Sequence, residues 1–236
     1  MKYAVIAAGE GSRLVNEGVI TPKPLVCLHG EPMIDRLIRI FLANGADSVS
    51  VIVNFEMQEV YEHLRRLRLP VPLHILHKST PSSMHSLYEL LPAIGNGRFC
   101  LTTVDTVFRE DEFAQYIRAF ERTGADGLMA VTDYVDDEKP LYVTTDRQLS
   151  IHAFHDDAPA GARYVSGGIY CLNDRCVPVL KACVEAGMSK LRNYQRQLLE
   201  NGLKLCAWPF SKIIDLDHRE DISKAERFLK PITDDK

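Results

Sequence analysis

Long apolar runs are missing from this sequence: none approaches the ~20 residues that a membrane-crossing helix needs. The opening MKYAVIAAG carries one lysine and a short apolar stretch, too short for a leader's apolar core and cleavage site. A soluble, cytoplasmic chain is expected. A basic surplus is missing too. The formal net charge is −4, whereas a protein that grips nucleic acid by its phosphates usually carries excess lysine and arginine. A free nucleotide therefore fits better than a polymer, and neither nucleic acid nor membrane is expected as a partner. The six cysteines (27, 100, 171, 176, 183 and 206) include no CxxC pair and no zinc-ligand spacing with histidine. Several sit in apolar runs, Cys27 within Leu25–Leu28 for example, so reduced and mostly buried thiols are expected, as in a reducing cytoplasm. Internal repeats and low-complexity linkers are also absent.

What is present suits one α/β domain with a sizeable core: 236 residues, 46% apolar and 25% charged. Tyr3–Ala8 is a continuous apolar run, as a strand buried on both faces should be. A glycine-rich loop follows, then helical spacing of Met33, Ile34, Leu37, Ile38 and Phe41 behind Pro32, with Gly45 as a stop. Strands are expected at Ser48–Val53, Leu73–His77 and Phe99–Val104, alternating with helices at Met57–Leu69, Ser82–Leu91 and Glu110–Arg122. Alternation of this kind means βαβ crossovers and a parallel sheet covered on both faces. Beyond residue 126 the pattern loosens. Strands are expected at Gly127–Thr132, Leu141–Thr145, Gln148–Phe154, Arg163–Leu172, Lys204–Trp208 and Ile213–Leu216, with helices at Asp174–Ala186, Ser189–Asn201 and Asp221–Leu229. Asp156–Gly161 is the best candidate for a mobile surface loop.

The first chemical signal is AVIAAGEGSRL, with Gly9, Gly11 and Arg13 directly after the first strand. Glycines there let the backbone approach a phosphate and turn N–H groups toward it. No GxxxxGK[ST] string occurs, which excludes a P-loop. A dinucleotide fingerprint needs a third glycine that opens a helix at once. Leu14 holds that position, and the loop runs on through Asn16, Gly18 and Pro22, so no prompt helix is expected and an oxidoreductase domain is disfavoured. Downstream, prolines on both sides of Lys23 are expected to hold the segment extended, where the lysine cannot ride a helix face. A guanidinium at 13 and an ammonium at 23 in one loop can grip a triphosphate.

AAGEGSRL, TPKPL and HGEPMIDRLIRIFLANGADSVSVIVN together resemble the sugar-phosphate and alcohol-phosphate nucleotidyltransferase family, whose signature is a glycine loop ending in Arg followed by a Pro-Lys pair. The match is specific over roughly the first quarter of the chain, and weaker matches continue to near its end. The resemblance implies a three-layer α/β/α sandwich on a mostly parallel mixed sheet, with residues 1–125 forming a nucleotide half and 126–236 an acceptor half. It implies transfer of a nucleoside monophosphate from an NTP to a small phosphorylated acceptor, a phospho-alcohol or a sugar-1-phosphate, with magnesium as cofactor.

Residue by residue, the resemblance implies catalytic roles for Arg13 and Lys23 and a nucleotide-binding role for Ala7, Ala8, Gly9, Glu10 and Gly11. TTVDTVF matches the segment whose aspartate, here Asp105, binds magnesium. IIDLDHREDISKAE matches the closing pattern that supplies a second ligand, Asp217, with Asp215 as the runner-up and Asp221 read as a helix-start acid. Ser82 and Ser83 match the loop that meets the nucleobase, and they equally suit a plain helix cap. The SSMHSL string lacks the Gly-Thr of many UTP- and dTTP-using members and looks closer to the phosphocholine cytidylyltransferase branch, which leans toward CTP. Ser166 and Gly167, in the strand YVSGGIY, match the acceptor site; a bulge is the structural alternative for these glycines. Three alternatives stay open: a uridylyl- or guanylyltransferase for a sugar-1-phosphate, the same activity on a cofactor precursor, or a nucleotide-binding subunit without catalysis. The chain ends soon after the Asp217 helix, so the repeat-rich β-helix of acetylating relatives is not expected. Oligomeric state is not legible.

Overall fold

A computed structural model describes residues 1–9, 11–136 and 138–230. Its central sheet is built from β1 (Lys2–Ala7), β4 (Ser48–Val53), β5 (Leu73–His77), β6 (Phe99–Thr103), β8 (Gly127–Thr132), β9 (Tyr142–Thr145), β10 (Ile151–His155), β11 (Tyr164–Leu172) and β12 (Leu205–Phe210). The order runs β10-β9-β11-β6-β1-β4-β5, with β8 beside β11 and β12 beside β8. β1 is flanked in parallel by β4 and β6, and β5 adds in parallel to β4. β11 runs antiparallel to β6 and β8, which makes the sheet mixed. The short pieces β2 (Cys27–Leu28) and β3 (Glu31–Pro32) form a hairpin, and β7 (Thr106–Val107) pairs with β13 (Ile214–Asp215). Helices are α1 (Ser12–Asn16), α2 (Met33–Ala43), α3 (Gln58–Arg66), α4 (Ser83–Ile94), α5 (Glu110–Arg122), α6 (Cys176–Glu185), α7 (Leu191–Glu200) and α8 (Arg219–Leu229).

Alternation along β1 shows why the sheet needs cover on both sides. Tyr3, Val5 and Ala7 enter one core with residues of α2, α3 and α5, while Ala4 and Ile6 enter the other with residues of α4, α6 and α7. Burial on both faces produces the three-layer sandwich expected from the sequence. A third, smaller core joins Leu14, Val26, Leu28, Met33, Val107, Ile214, Leu216 and Ala225. No helix among the described residues is long and apolar enough to cross a membrane.

Several local expectations change. A helix does begin promptly after the glycine loop: Gly11 adopts φ +62, which only glycine takes freely, and α1 makes little more than one turn before Gly18 at φ +83 ends it. Lys23–Leu25 is a single 3-10 turn rather than an extended segment, because Leu25 N–H donates to the Pro22 carbonyl at 2.8 Å. α3 ends at Arg66, since Leu67 is already extended ahead of Pro70. α4 runs past Leu91 with Pro92 in its last turn and stops at Gly95, φ +66. Cys27 is exposed, not buried, because the two-residue β2 turns Leu28 inward and its neighbour out.

Asp126, at the head of β8, ties three segments together. Its buried carboxylate accepts hydrogen bonds from Lys204 N–H at 2.9 Å, Asn173 Nδ2 at 3.2 Å and Arg175 Nη1 at 3.0 Å. Burial alone would raise its pKa, but these donors outweigh burial and lower it. A depressed folded pKa gives stability that is complete above the ordinary carboxylate value and is lost as pH falls through the folded one. Asp126→Ala should cost about 2 kcal/mol in urea unfolding at pH 7. The difference between wild type and Asp126→Asn should shrink when the titration is repeated below about pH 3.9.

Candidate functional site

The parallel strands β1, β4 and β6 end on one edge of the sheet, where open α/β sheets hold ligands. A cleft of about 680 Å³ opens there. Ala8, Gly9 and Gly11 line it from the loop after β1, Asn54 and Glu56 from the end of β4, Ser79–Ser83 from the loop after β5, and Thr103–Asp105 from the end of β6. Asp217 arrives from more than a hundred residues away. Ala7, grouped with these residues in the sequence, is fully buried in the core and is not among the cleft's lining. Glu10 lies outside the described residues.

Lys23 sits at the centre. Only 8% of it is exposed, and its Nζ lies 2.7 Å from Asp105 Oδ2 and 2.7 Å from Asp217 Oδ1. Arg13 donates to the other oxygen of Asp217 and, at 3.2 Å, to Glu138 Oε2. Burial disfavours the Lys23 charge, but the two carboxylates outweigh it and raise its pKa above the ordinary lysine value. Burial likewise works against an ionised Asp105, yet the Lys23 charge and hydrogen bonds from Lys23 and Thr103 hold its pKa below the ordinary value. The group is therefore two carboxylates facing a lysine and an arginine at the mouth of three strands.

Backbone pairing brings the two aspartates together. Asp105 ends the β6 turn into β7, β13 pairs with β7 as Ile214↔Val107 and Asp215↔Thr106, and Leu216 N–H donates to the Asp105 carbonyl at 3.0 Å. Asp217 is then fixed from behind: Asp221 Oδ2 accepts from Asp217 N–H at 3.1 Å and His218 N–H at 2.7 Å, closing a capping box on α8. Asp215 lies outside this group and lines a neighbouring cavity. The β7–β13 pair is two residues long on each side, too short to give a periodic signal in sequence.

The hard oxygen donors of Asp105 and Asp217 converge on one ammonium nitrogen, a geometry that suits a small divalent cation. Among the described residues no group of three or more His, Cys, Asp or Glu could hold a metal by itself. Magnesium does not ask for one, since it usually takes one or two carboxylates and completes its shell with water and phosphate oxygens.

Ser82 and Ser83 line the cleft, but neither makes a side-chain cap on α4. Ser82 Oγ instead accepts from Lys190 N–H at 3.1 Å, and Ser83 Oγ accepts from Leu191 N–H at 3.3 Å. The loop after β5 is thereby tied to the start of α7. Ser166 lines a second cavity of about 320 Å³ that shares Ser83 and Thr103 with the first. Gly167 is tightly packed, since a Cβ there would come within 2.2 Å of Ile213 Cδ1, and with Ser166 it lines a small pocket adjoining that cavity. Gly168 adopts φ +74, and the register of β11 against β8 shifts between Ser166 and Tyr170, so these glycines form a bulge. Asn54, Lys190 and Gln195 were not singled out in the sequence. Asn54 is buried at the floor of the cleft and accepts from Ser79 Oγ at 2.8 Å; an isolated Asn after a strand carries no motif.

The family model described as the MobA-like NTP transferase domain matches residues 3–200. The bifunctional protein GlmU of Thermodesulfovibrio yellowstonii is 22% identical over 246 residues, covering 98% of this chain and 52% of that protein. The 2-aminoethylphosphonate cytidylyltransferase of Lancefieldella rimae is 26% identical over 115 residues, covering 47% of this chain and 45% of that protein. The chain thus spans about half the length of the curated relatives it matches. Two solved structures share the fold. The inositol-1-phosphate CTP transferase from T. maritima superposes with a TM-score of 0.80 at 16% identity, covering 98% of both chains. A putative glucose-1-phosphate thymidylyltransferase from Bacillus anthracis gives 0.82 at 18% identity, covering 100% of this chain and 98% of that one.

Lys190 carries a backbone strain that can be measured. It holds φ +69 and ψ 135 as the residue before α7, a region that costs a side-chain-bearing residue energy. Lys190→Gly should raise stability by about 1 kcal/mol in chemical denaturation. Lys190→Ala keeps a Cβ in the same conformation and should show no such gain.

Proposed function

The chain belongs to the MobA-like NTP transferase family, and we propose that it transfers a nucleoside monophosphate from an NTP to a small phosphate-bearing acceptor, releasing pyrophosphate. The observation that carries this is the Lys23 ammonium held between Asp105 and Asp217, beside Arg13 and the glycine loop, at the mouth of the parallel strands. The acceptor's phosphate oxygen attacks the α-phosphorus in line, and the pyrophosphate oxygen leaves. Near neutral pH that nucleophile is already anionic, so no general base is required. What the protein must supply is position and positive charge.

Arg13 holds the β- and γ-phosphates that leave. Lys23 neutralises the α-phosphoryl as it becomes five-coordinate. The backbone of Ala8, Gly9 and Gly11 approaches the phosphates from the loop after β1. Asp105 and Asp217 would hold magnesium, which supplies charge neutralisation on phosphate oxygens. Both cations neutralise Asp217 in this structure, so they are already gathered where the phosphates need them. CTP is the nucleotide favoured by the base-side loop. Its SSMHSL string supports this, as do the hydroxyls of Ser79, Thr80, Ser82, Ser83 and Ser86 along the cleft and the cytidylyltransferase among the relatives. All six cysteines are free, in keeping with a reducing, cytoplasmic location.

Pyrophosphate release tests the proposal directly, with each of the four NTPs against phosphocholine, 2-aminoethylphosphonate, inositol 1-phosphate and common sugar 1-phosphates. Release that needs both magnesium and one acceptor class is expected, fastest with CTP. Tight NTP binding with no release across the panel would point instead to a nucleotide-binding role. Arg13→Ala should lower kcat/KM about 10²-fold, as loss of one transition-state donor does. A loss below about tenfold would remove Arg13 from that role. Asp105→Asn should weaken magnesium activation while leaving the fold intact by circular dichroism.

A further inference from the structure

Granted the transfer proposed above, the acceptor's phosphate meets the nucleotide near Lys23, and the rest of the acceptor enters the adjoining cavity of about 320 Å³ through the shared wall of Ser83 and Thr103. That cavity decides which acceptors fit.

Its inner wall is an uncharged hydrogen-bonding group. Gln195, on α7, is only 2% exposed yet lines the cavity. Ser166 Oγ donates to Gln195 Oε1 at 3.4 Å, and Tyr170 lines the same cavity beside them. Burial pushes the Tyr170 pKa up to about 12, so the hydroxyl keeps its proton and remains a donor. A buried primary amide costs free energy unless its donors and acceptor find partners. Here Ser166 holds the amide oxygen from the protein side.

The cavity offers little to a positively charged head group. Quaternary ammonium ligands are held against aromatic faces within about 6 Å of the ring centre. Tyr170 is the only aromatic residue among the cavity's described lining, and it is 8% exposed. Tyr134 lines the small adjoining pocket, which shares Ser166 and Asp215 with this cavity, but the Lys212 ammonium already lies over its ring at 3.7 Å. Lys190 and Arg192 add positive charge to the wall. Asp156 pairs with Arg192 at 2.8 Å, and Asp215 is the single carboxylate among the cavity's described lining.

We infer that this cavity takes the uncharged, polyhydroxylated part of a phosphorylated polyol or sugar and discriminates against acceptors bearing a quaternary ammonium, with Gln195 as the specificity-determining residue. The amide serves vicinal hydroxyls because it presents donor and acceptor side by side.

The experiment compares myo-inositol 1-phosphate and glucose 1-phosphate with phosphocholine in wild type, Gln195→Leu and the near-isosteric Gln195→Glu. Wild type should favour one of the polyol or sugar phosphates by about tenfold or more in kcat/KM, as a site built to hydrogen-bond hydroxyls does. Gln195→Leu should raise the KM for that acceptor by about tenfold while the KM for the NTP stays unchanged. Gln195→Glu should shift the preference ratio toward phosphocholine, a change that general destabilisation would not produce. A wild type that prefers phosphocholine, or a ratio unmoved in both variants, overturns the inference. If no acceptor is turned over, the transfer itself fails. Calorimetric titration of inositol 1-phosphate and phosphocholine into the CTP-loaded protein then still decides the cavity: tighter binding of inositol 1-phosphate, lost in Gln195→Leu, supports the inference, and equal or reversed affinities sink it.

Discussion

A lysine ammonium that is almost wholly buried cannot stand alone, because charge removed from water must be compensated by opposite charge and hydrogen bonds. Lys23 obtains that compensation from two carboxylates at 2.7 Å each. Three distant stretches of chain must therefore meet at one point: the loop after β1, the end of β6 and the segment after β13. Removing the ammonium would leave two carboxylates facing each other, and removing either carboxylate would weaken the compensation of the lysine. The same mutual neutralisation lets four charged side chains share the mouth of an apolar sheet.

The backbone makes this meeting possible. Parallel β1 and β6 put the glycine loop and Asp105 on the same edge, a consequence of strand direction alone. Asp217 needs a second device. The β7–β13 pair and the Leu216 N–H bond to the Asp105 carbonyl carry it across from the far end of the chain, and α8 holds it through the Asp221 capping box. Gly11 belongs to the same arrangement. A Cβ at that position would approach the Lys23 Cβ to 3.3 Å, so the glycine that turns the chain also makes room for the lysine.

The two cavities are not independent. Ser82 and Ser83 line the cleft at the strand ends, and their hydroxyls accept the N–H groups of Lys190 and Leu191. α7, which begins there, carries Arg192 and Gln195 into the second cavity. Asp156 holds Arg192 and Arg196 at 2.8 Å each, so the loop read from sequence as a mobile surface segment also braces that wall. The strained backbone at Lys190 sits at the junction, where the Ser82 hydroxyl holds its N–H.

The sequence alone determined most of the scaffold and brought out the first part of the candidate site. Apolar runs and helical spacing placed β4, β5, β8 and α5 to the residue, because these elements are long and periodic enough for local chemistry to dominate. The glycine loop, Arg13, Lys23 and the strand-end Asp105 were legible because their residue types stand out at short spacing. Where local steric signals compete, sequence misled: α4 continues past Leu91 through Pro92, and the glycines after β1 did not postpone α1. The tertiary structure alone decided that Ala7 is core rather than cleft, that Gly167 makes room for Ile213, that Ser82 and Ser83 anchor α7 instead of capping α4, and that Asp217 rather than Asp215 faces Lys23. Each of those outcomes depends on partners more than twenty residues away, and a contact between distant segments leaves no period or spacing in the chain that makes it.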